Sequence, residues 1–114
     1  INDKVILPEP AENSNPSWFG FLISVRPESG LKRNDITGYI EAHNIQTRLL
    51  FSGNLVKHPC FDPIRGTAAY RVIGNLDVTE YVMNNSFWVG VYPGMTDKMI
   101  DYMAEIIIQA VKQG

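Results

Sequence analysis

Residues 18–26 read WFGFLISVR, and this stretch decides the fold of the chain. Successive side chains of a β-strand point to opposite faces, so the stretch divides into two sets. One face carries Phe19, Phe21, Ile23 and Val25. The other face carries Trp18, Gly20, Leu22, Ser24 and Arg26. Because both faces are largely apolar, the sequence predicts a strand that lies inside a sheet.

The rest of the chain alternates between helical and strand patterns. The predicted segments are a helix from Asp35 to His43, a strand from Gln46 to Phe51, an extended segment or brief strand at residues 70–73, a helix from Asp77 to about Asn84, a strand from Phe87 to Tyr92 and a helix from Asp97 to about Lys112. Such alternation is typical of an α/β layer. We therefore predict an α/β (α+β-like) fold with a small antiparallel or mixed sheet of about three strands and helices packed on one face.

Local signals add detail to the helices. Asn34 is suited to cap the first helix, and Asn44 is suited to end it in the left-handed conformation. Asp77 and Glu80 have the spacing of a capping box at the start of the second helix, and Thr96 is placed to cap the third.

The two tryptophans predict a packing arrangement between strands. Trp18-Phe19-Gly20 and Trp88-Val89-Gly90 have the same spacing of tryptophan and glycine. If the two strands are neighbours, each tryptophan could lie over a glycine of the other strand.

Composition excludes several classes of function. The chain has 114 residues, 45% of them hydrophobic, which suits one globular domain. A net charge of −2 gives no basic field for nucleic acid or anionic lipid, and no apolar run is long enough to span a membrane. One cysteine agrees with a reducing compartment, so a cytoplasmic location is predicted. Residues 1–16, which include three prolines, are predicted to be an irregular linker to a domain at residues 17–114.

Residues 47–61, TRLLFSGNLVKHPCF, pass from a short strand into a polar loop around Asn54, the central loop. Such loops often carry binding residues, although a solvated surface connection has the same composition. Arg48 could hold a phosphate or carboxylate, or pair with an acidic neighbour. His58 and Cys60 have no second pair at zinc-ligand spacing, so no metal site is predicted, and Cys60 is expected to be a small buried side chain.

Four blocks in this order carry a resemblance to a known family. They are PSWFGF at 16–21, TRLLFSGNL at 47–55, YRVIG at 70–74 and FWVGVYPG at 87–94. Together the blocks resemble the C-terminal small domain of the vitamin B6-dependent sugar enzymes of the DegT/DnrJ/EryC1/StrS family. Within that family they are most similar to the CDP-4-keto-6-deoxyglucose 3-dehydratases of bacterial O-antigen biosynthesis.

The resemblance implies a homodimeric fold-type I enzyme whose large domain lies outside this chain. Such enzymes use pyridoxamine or pyridoxal phosphate, act on a nucleotide-sugar, and receive electrons from an iron–sulfur reductase partner. A large-domain histidine replaces the Schiff-base lysine, and any iron–sulfur cluster would also belong to the large domain. The small domain is expected to cover the active site while contributing no catalytic, cofactor-binding or metal-binding residue.

The resemblance also implies which residues of this chain contact the substrate. Phe19 matches an aromatic side chain that the family places near the sugar. Arg48 and Asn54 are expected to line the cleft from the central loop. Tyr81 stands where relatives commonly have an arginine that is implicated in the active site, a departure that bears on how the substrate is handled.

Two alternatives remain at this point. The same domain could belong to a sugar aminotransferase that uses pyridoxal phosphate, or the chain could be a complete small α/β binding module. A severed domain should expose an apolar patch where its partner domain was, and a complete module should not. We expect the chain alone to be inactive and to bind no pyridoxal phosphate.

Overall fold

The structure, a computed structural model, describes residues 1–113. Its elements are β1 (Val5–Ile6), β2 (Gly20–Val25), α1 (Arg33–Ala42), β3 (Thr47–Leu49), α2 (Asp77–Asn85), β4 (Ser86–Gly90) and α3 (Asp97–Gln113). Three short 3-10 turns lie in the connections, at Pro27–Ser29, Leu55–Lys57 and Pro59–Ile64. The predicted class is confirmed: the fold is a small antiparallel sheet with helices.

The sheet has four strands in the order β1-β2-β4-β3, and every neighbouring pair is antiparallel. β2 lies in the interior, as its two apolar faces predict. The fourth strand, β1, comes from the segment that was expected to be irregular. Val5 pairs with Val25 and is 1% exposed, so burial of this side chain outweighs the local proline signal. The interpretation of residues 1–16 as a linker to another domain stays a prediction.

α1 and α3 pack against each other over one face of the sheet. The core is built from Val5, Ile23, Val25, Ile36, Ile40, Phe87, Val89, Ile106, Ile107, Ala110 and Val111. On β2 and on β4 the two core residues are two positions apart, and on α3 the core residues follow helical spacing. α2 buries no residue fully and contacts β2 and β4.

The ends of the strands differ from the prediction. β3 ends at Leu49 because Phe51 adopts a left-handed backbone with φ of 42°, which takes the chain out of the sheet. Residues 70–73 lie in a loop and form no strand. Phe19 also departs from the predicted alternation, which puts it on the same face as Phe21. It lies before β2, and its ring contacts Trp88, which projects from the opposite face of the sheet.

α1 begins two residues before the predicted start and ends one residue before the predicted end, with the predicted left-handed conformation at Asn44. Asn44 has φ of 62°, its N–H donates to Glu41 O, and the N–H of Ile45 donates to Ile40 O, which together make a Schellman motif. The prediction of Asn34 as the N-cap is wrong, since the extended residue before α1 is Lys32. The Asn34 side chain instead accepts two hydrogen bonds from the Arg33 guanidinium.

Two further expectations are corrected, and one is confirmed. No capping box forms at α2: Asp77 is already helical, and the carboxylate of Glu80 binds groups in the central loop. Cys60 is exposed in a 3-10 turn, so its expected burial is wrong. The N–H of Met99 donates to Thr96 Oγ1, as predicted for the start of α3.

Candidate functional site

Phe19 and Trp88 form an aromatic pair on the sheet face opposite the core. Their ring centroids are 5.0 Å apart, and the ring planes are inclined by 50°. Trp88 lies over Gly20, where a Cβ atom would stand 2.6 Å from Trp88 Cε3. Half of the predicted tryptophan–glycine packing is therefore confirmed. The other half is wrong, because no atom lies within 4 Å of a Cβ built on Gly90.

The aromatic pair leaves a large apolar surface open to solvent. Phe19 is 67% exposed, whereas Trp88 is half-buried against the strand beneath it. An aromatic ring held in this way offers a flat apolar face to a ligand at little cost in side-chain entropy.

Arg48 is the neighbour of Trp88 on the other side. In the β3–β4 register Arg48 stands opposite Trp88, so both side chains leave the sheet on the same face. Arg48 is exposed, and within residues 1–113 it makes no ion pair or side-chain hydrogen bond. Arg48 therefore does not pair with an acidic neighbour in the described residues, and a role in holding a phosphate or carboxylate stays a prediction. Two of the predicted site residues, Phe19 and Arg48, are thus brought together around Trp88.

The central loop is attached to α2 through Glu80. The carboxylate of Glu80 accepts hydrogen bonds from Lys57 Nζ at 2.6 Å, from Asn54 Nδ2 at 3.2 Å and from Asn84 Nδ2 at 3.2 Å. These donors, chiefly Lys57 and then Asn54, hold the pKa of Glu80 below its usual range. The carboxylate therefore joins the loop to the helix as an anion.

Asn54 is placed differently from the prediction of a cleft-lining side chain. It is 3% exposed, its side-chain amide donates to Glu80, and its backbone N–H points at Met83 Sδ at 3.3 Å. Its role in substrate binding stays a prediction, and in this arrangement the amide nitrogen serves to hold the loop.

Tyr81 is also engaged with the protein. Its hydroxyl donates to Val25 O at 3.0 Å, and burial raises the pKa of the phenol. A contact between Tyr81 and the substrate stays a prediction and would require this hydroxyl to exchange partners. In the described residues, the side-chain hydrogen bonds of Asn54 and Tyr81 go to Glu80 and to Val25 O, and not to the indole of Trp88.

Glu80 and Met83 are the residues of this site that the sequence does not identify. Glu80 was assigned to a capping box because its spacing from Asp77 fits one, and the competing cation, Lys57, is 23 positions away. The packing of Trp88 over a glycine is predicted, but its contact with Phe19 is not.

Charge is unevenly divided along the chain. Residues 46–76 hold four of the ten Lys and Arg residues and one of the twelve Asp and Glu residues, so this segment has a net charge of +3 in a chain of net charge −2. The segment includes β3, with Arg48, and the central loop. Lys57 is paired with Glu80 and Arg65 with Asp62, so Arg48 and Arg71 are the cations of this segment that make no ion pair among the described residues.

A second surface is an apolar groove of about 380 Å³ between the sheet and α3. Its walls include Trp18, Phe21, Met95, Ile100 and Met103, and every residue that lines it is apolar. Trp18 and Ile100 are each exposed by more than a third of their surface. An exposed groove of this kind is what the severed-domain hypothesis predicts.

Residues 1–108 match the sequence model of the DegT/DnrJ/EryC1/StrS aminotransferase family. This chain belongs to that family. The resemblance that the four sequence blocks carry is thereby confirmed.

Two curated members of the family are similar to the chain over most of its length. The dTDP-4-dehydro-2,6-dideoxy-D-glucose 3-dehydratase of Saccharopolyspora spinosa is 44% identical over 107 residues, which are 94% of this chain and 22% of that protein. The lipopolysaccharide biosynthesis protein RfbH of Salmonella typhimurium is 44% identical over 97 residues, which are 85% of this chain and 21% of that protein.

A solved structure of the family has the same fold. The structure of E. coli GDP-4-keto-6-deoxy-D-mannose-3-dehydratase with bound hydrated PLP superimposes with a TM-score of 0.75 and 27% identity, covering 91% of this chain and 25% of that one. The chain thus spans about a fifth of the curated relatives and a quarter of the solved structure.

Two structural findings bear on ligands and membranes. Within residues 1–113 there is no group of three or more His, Cys, Asp or Glu side chains arranged to hold a metal ion. No helix within the same residues has the length and apolar character needed to cross a bilayer.

Proposed function

We propose that this chain is the small domain of a nucleotide-sugar 3-dehydratase that depends on pyridoxamine or pyridoxal phosphate. The observation that carries the proposal is the 44% identity to a 3-dehydratase over 94% of the chain. The similarity to a second 3-dehydratase of known structure supports it. These relatives favour a dehydratase over the alternative of a sugar aminotransferase.

The proposed substrate is CDP-4-keto-6-deoxyglucose, which loses its C3 hydroxyl on the way to a 3,6-dideoxyhexose. The similarity to a lipopolysaccharide biosynthesis protein supports this assignment, and with it a role in O-antigen synthesis. The complete enzyme is proposed to be a cytoplasmic homodimer that receives electrons from an iron–sulfur reductase.

The chain's own contribution is to bind and cover the nucleotide-sugar. The exposed ring of Phe19, backed by Trp88, offers an apolar face against which the sugar or base can lie. Arg48 is the next side chain on that face and has no acidic partner in the described residues, so its guanidinium is available to a phosphate of the substrate. The positive segment 46–76 favours the approach of a diphosphate.

The cofactor is proposed to be held by the part of the polypeptide outside this chain. The apolar groove offers no group that could bind its phosphate, and Lys57, the lysine of the central loop, is bound to Glu80. When bound, the cofactor supplies the electron sink for loss of the hydroxyl. Residues of this chain, Phe19 and Arg48 among them, then orient the sugar and exclude water from the side of the active site that the small domain covers.

The complete polypeptide should be tested with pyridoxamine phosphate, CDP-4-keto-6-deoxyglucose and an iron–sulfur reductase. The expected product is the 3-deoxy sugar, with no amino sugar formed when glutamate is supplied. Residues 1–114 alone are expected to show no turnover and no cofactor absorbance band. Glutamate-dependent amination at C4 would instead identify an aminotransferase. A stoichiometric cofactor band on the isolated chain would contradict the assignment of the cofactor to another domain.

A further inference from the structure

The central loop, residues 50–58, has a strained backbone, and within it His58 Nε2 lies 2.5 Å from Ser52 O. Phe51 is a non-glycine residue with φ of 42°, and Gly53 has φ of 64°. Phe51 is 77% exposed, so no packing of its ring compensates for the strained conformation. Strain of this kind persists only where the surroundings over-determine it, and it is concentrated at binding sites.

Contacts from α2 add to this restraint. Glu80 binds both Asn54, which precedes the 3-10 turn at Leu55–Lys57, and Lys57, which is the last residue of that turn. One carboxylate thus fixes two points of the loop. Hydrogen bonds to an ionised group are stronger than those between neutral groups, so this carboxylate restrains the loop more firmly than a neutral acceptor.

Met83 makes the second attachment, one turn further along α2. Its side chain lies on Gly53, where a Cβ atom would stand 2.6 Å from Met83 Cγ, and its sulfur receives the N–H of Asn54. Arg33 Nη1 donates to Met83 O at 2.8 Å, which ties this turn of α2 to α1. The loop is therefore connected through α2 to α1, one of the two helices that cover the core.

We propose that Glu80 is a positioning residue that holds the central loop in the conformation required to bind the nucleotide-sugar. It acts through Asn54 and Lys57 and does not itself touch the substrate. The inference rests on the proposed function, since it takes the loop and the adjoining strand β3, with Arg48, as a wall of the substrate cleft. It assigns to Asn54 a buried role in holding the loop.

Hydrogen exchange of the full-length protein tests the attachment without any substrate. In Glu80→Gln, the N–H groups of Lys57 and His58, which bond Asn54 O and Leu55 O, should exchange roughly threefold to tenfold faster. Exchange in β2 and β4 should be unchanged. Glu105→Gln is the matched control, because Glu105 is an exposed helical carboxylate whose side-chain partner, Gln109, lies on the same helix. Equal exchange in Glu80→Gln and wild type would overturn the proposal.

Steady-state kinetics of the same variants test the consequence for the substrate. Glu80→Gln should raise KM for the nucleotide-sugar several-fold and leave kcat within about twofold, because uniform binding is lost while the chemical step is untouched. Faster loop exchange with an unchanged KM would also overturn the proposal, since the loop would then be held for another purpose. If wild type neither binds nor converts nucleotide-sugars, the proposed function fails, and the exchange experiment still decides whether Glu80 holds the loop.

Discussion

The indole of Trp88 lies so close to the backbone of Gly20 that residue 20 has no room for a side chain. The Cβ of an alanine there would stand 2.6 Å from Trp88 Cε3 and 3.1 Å from Cδ2. Because Phe19 stacks on the same indole, the absence of a side chain at residue 20 also sets the position of the exposed aromatic ring.

Gly20→Ala should therefore destabilise the domain, by about 1–3 kcal/mol, since the indole must shift within a formed sheet. Chemical denaturation measures the change. Gly90→Ala is the control, because Gly90 pairs with Gly20 across β2 and β4 and its Cβ would meet no atom within 4 Å. That variant should be neutral or slightly stabilised, because alanine reduces the entropy of the unfolded chain. Equal losses for the two variants would show that Trp88 does not occupy the space over residue 20.

Gly53→Ala should be destabilising for two separable reasons. Alanine at φ of 64° costs about 1–2 kcal/mol, and its Cβ would collide with Met83. Gly74→Ala isolates the first term, since Gly74 has φ of 70° and open space around it. The loss measured by denaturation should be larger at residue 53 than at residue 74, and Met83→Ala should reduce the difference. A loss at residue 53 no greater than at residue 74 would argue against the Met83 contact.

Arg48→Met should weaken binding of the nucleotide-sugar to the full-length enzyme about tenfold or more, because a charge-assisted hydrogen bond to a phosphate is lost. Stability should change little, since Arg48 is exposed and makes no ion pair in the described residues. Lys98→Met removes an exposed cation from the start of α3 and should leave KM unaltered. An unchanged KM in Arg48→Met would remove Arg48 from the substrate site.

The attachment of the loop should weaken in acid. The hydrogen bond from Lys57 is the largest cause, and that from Asn54 the second largest, of a Glu80 pKa below the ordinary 4.5. The ionised form of Glu80 is therefore favoured in the folded state. Its contribution to stability is therefore present above the ordinary pKa and is lost as the pH falls through the lower folded-state value. Asn84 also faces the carboxylate, from α2 itself.

A carbon-detected NMR titration of the Glu80 side chain measures this pKa directly. Lys57→Met should move the pKa of Glu80 up towards 4.5, since the largest cause of the lowering is removed. Lys98→Met should leave it in place. The loop–helix contact would have no electrostatic part if Lys57→Met failed to shift the titration.

Much of the fold follows from local signals. Asn44 could be identified as a helix terminator because few residues tolerate φ near 60°, and the two apolar faces of residues 18–26 required an interior strand. Val5 could not be placed in the same way. Its burial depends on an antiparallel partner twenty positions away, and neighbouring prolines give the opposite signal.

The site was harder to predict, because its side chains have more than one possible partner. Glu80 could cap its own helix or bind the loop, and only the folded chain brings Lys57 and Asn54 close enough to decide. Alternation predicts that Phe19 shares a face with Phe21, but the strand begins one residue after Phe19 and the ring turns to Trp88. Arg48 lies in a strand as predicted, and its lack of an acidic neighbour is a property of the tertiary structure.

The sheet is bounded by outer strands of two and three residues, β1 and β3. Edge strands this short expose few unpaired backbone groups to a neighbouring molecule. Arg48 also places a charge on β3, and both features oppose pairing of the sheet edge with another chain. Self-association of the separated domain at high concentration should therefore proceed through side chains in the apolar groove, so a charge introduced at Ile100 should suppress it.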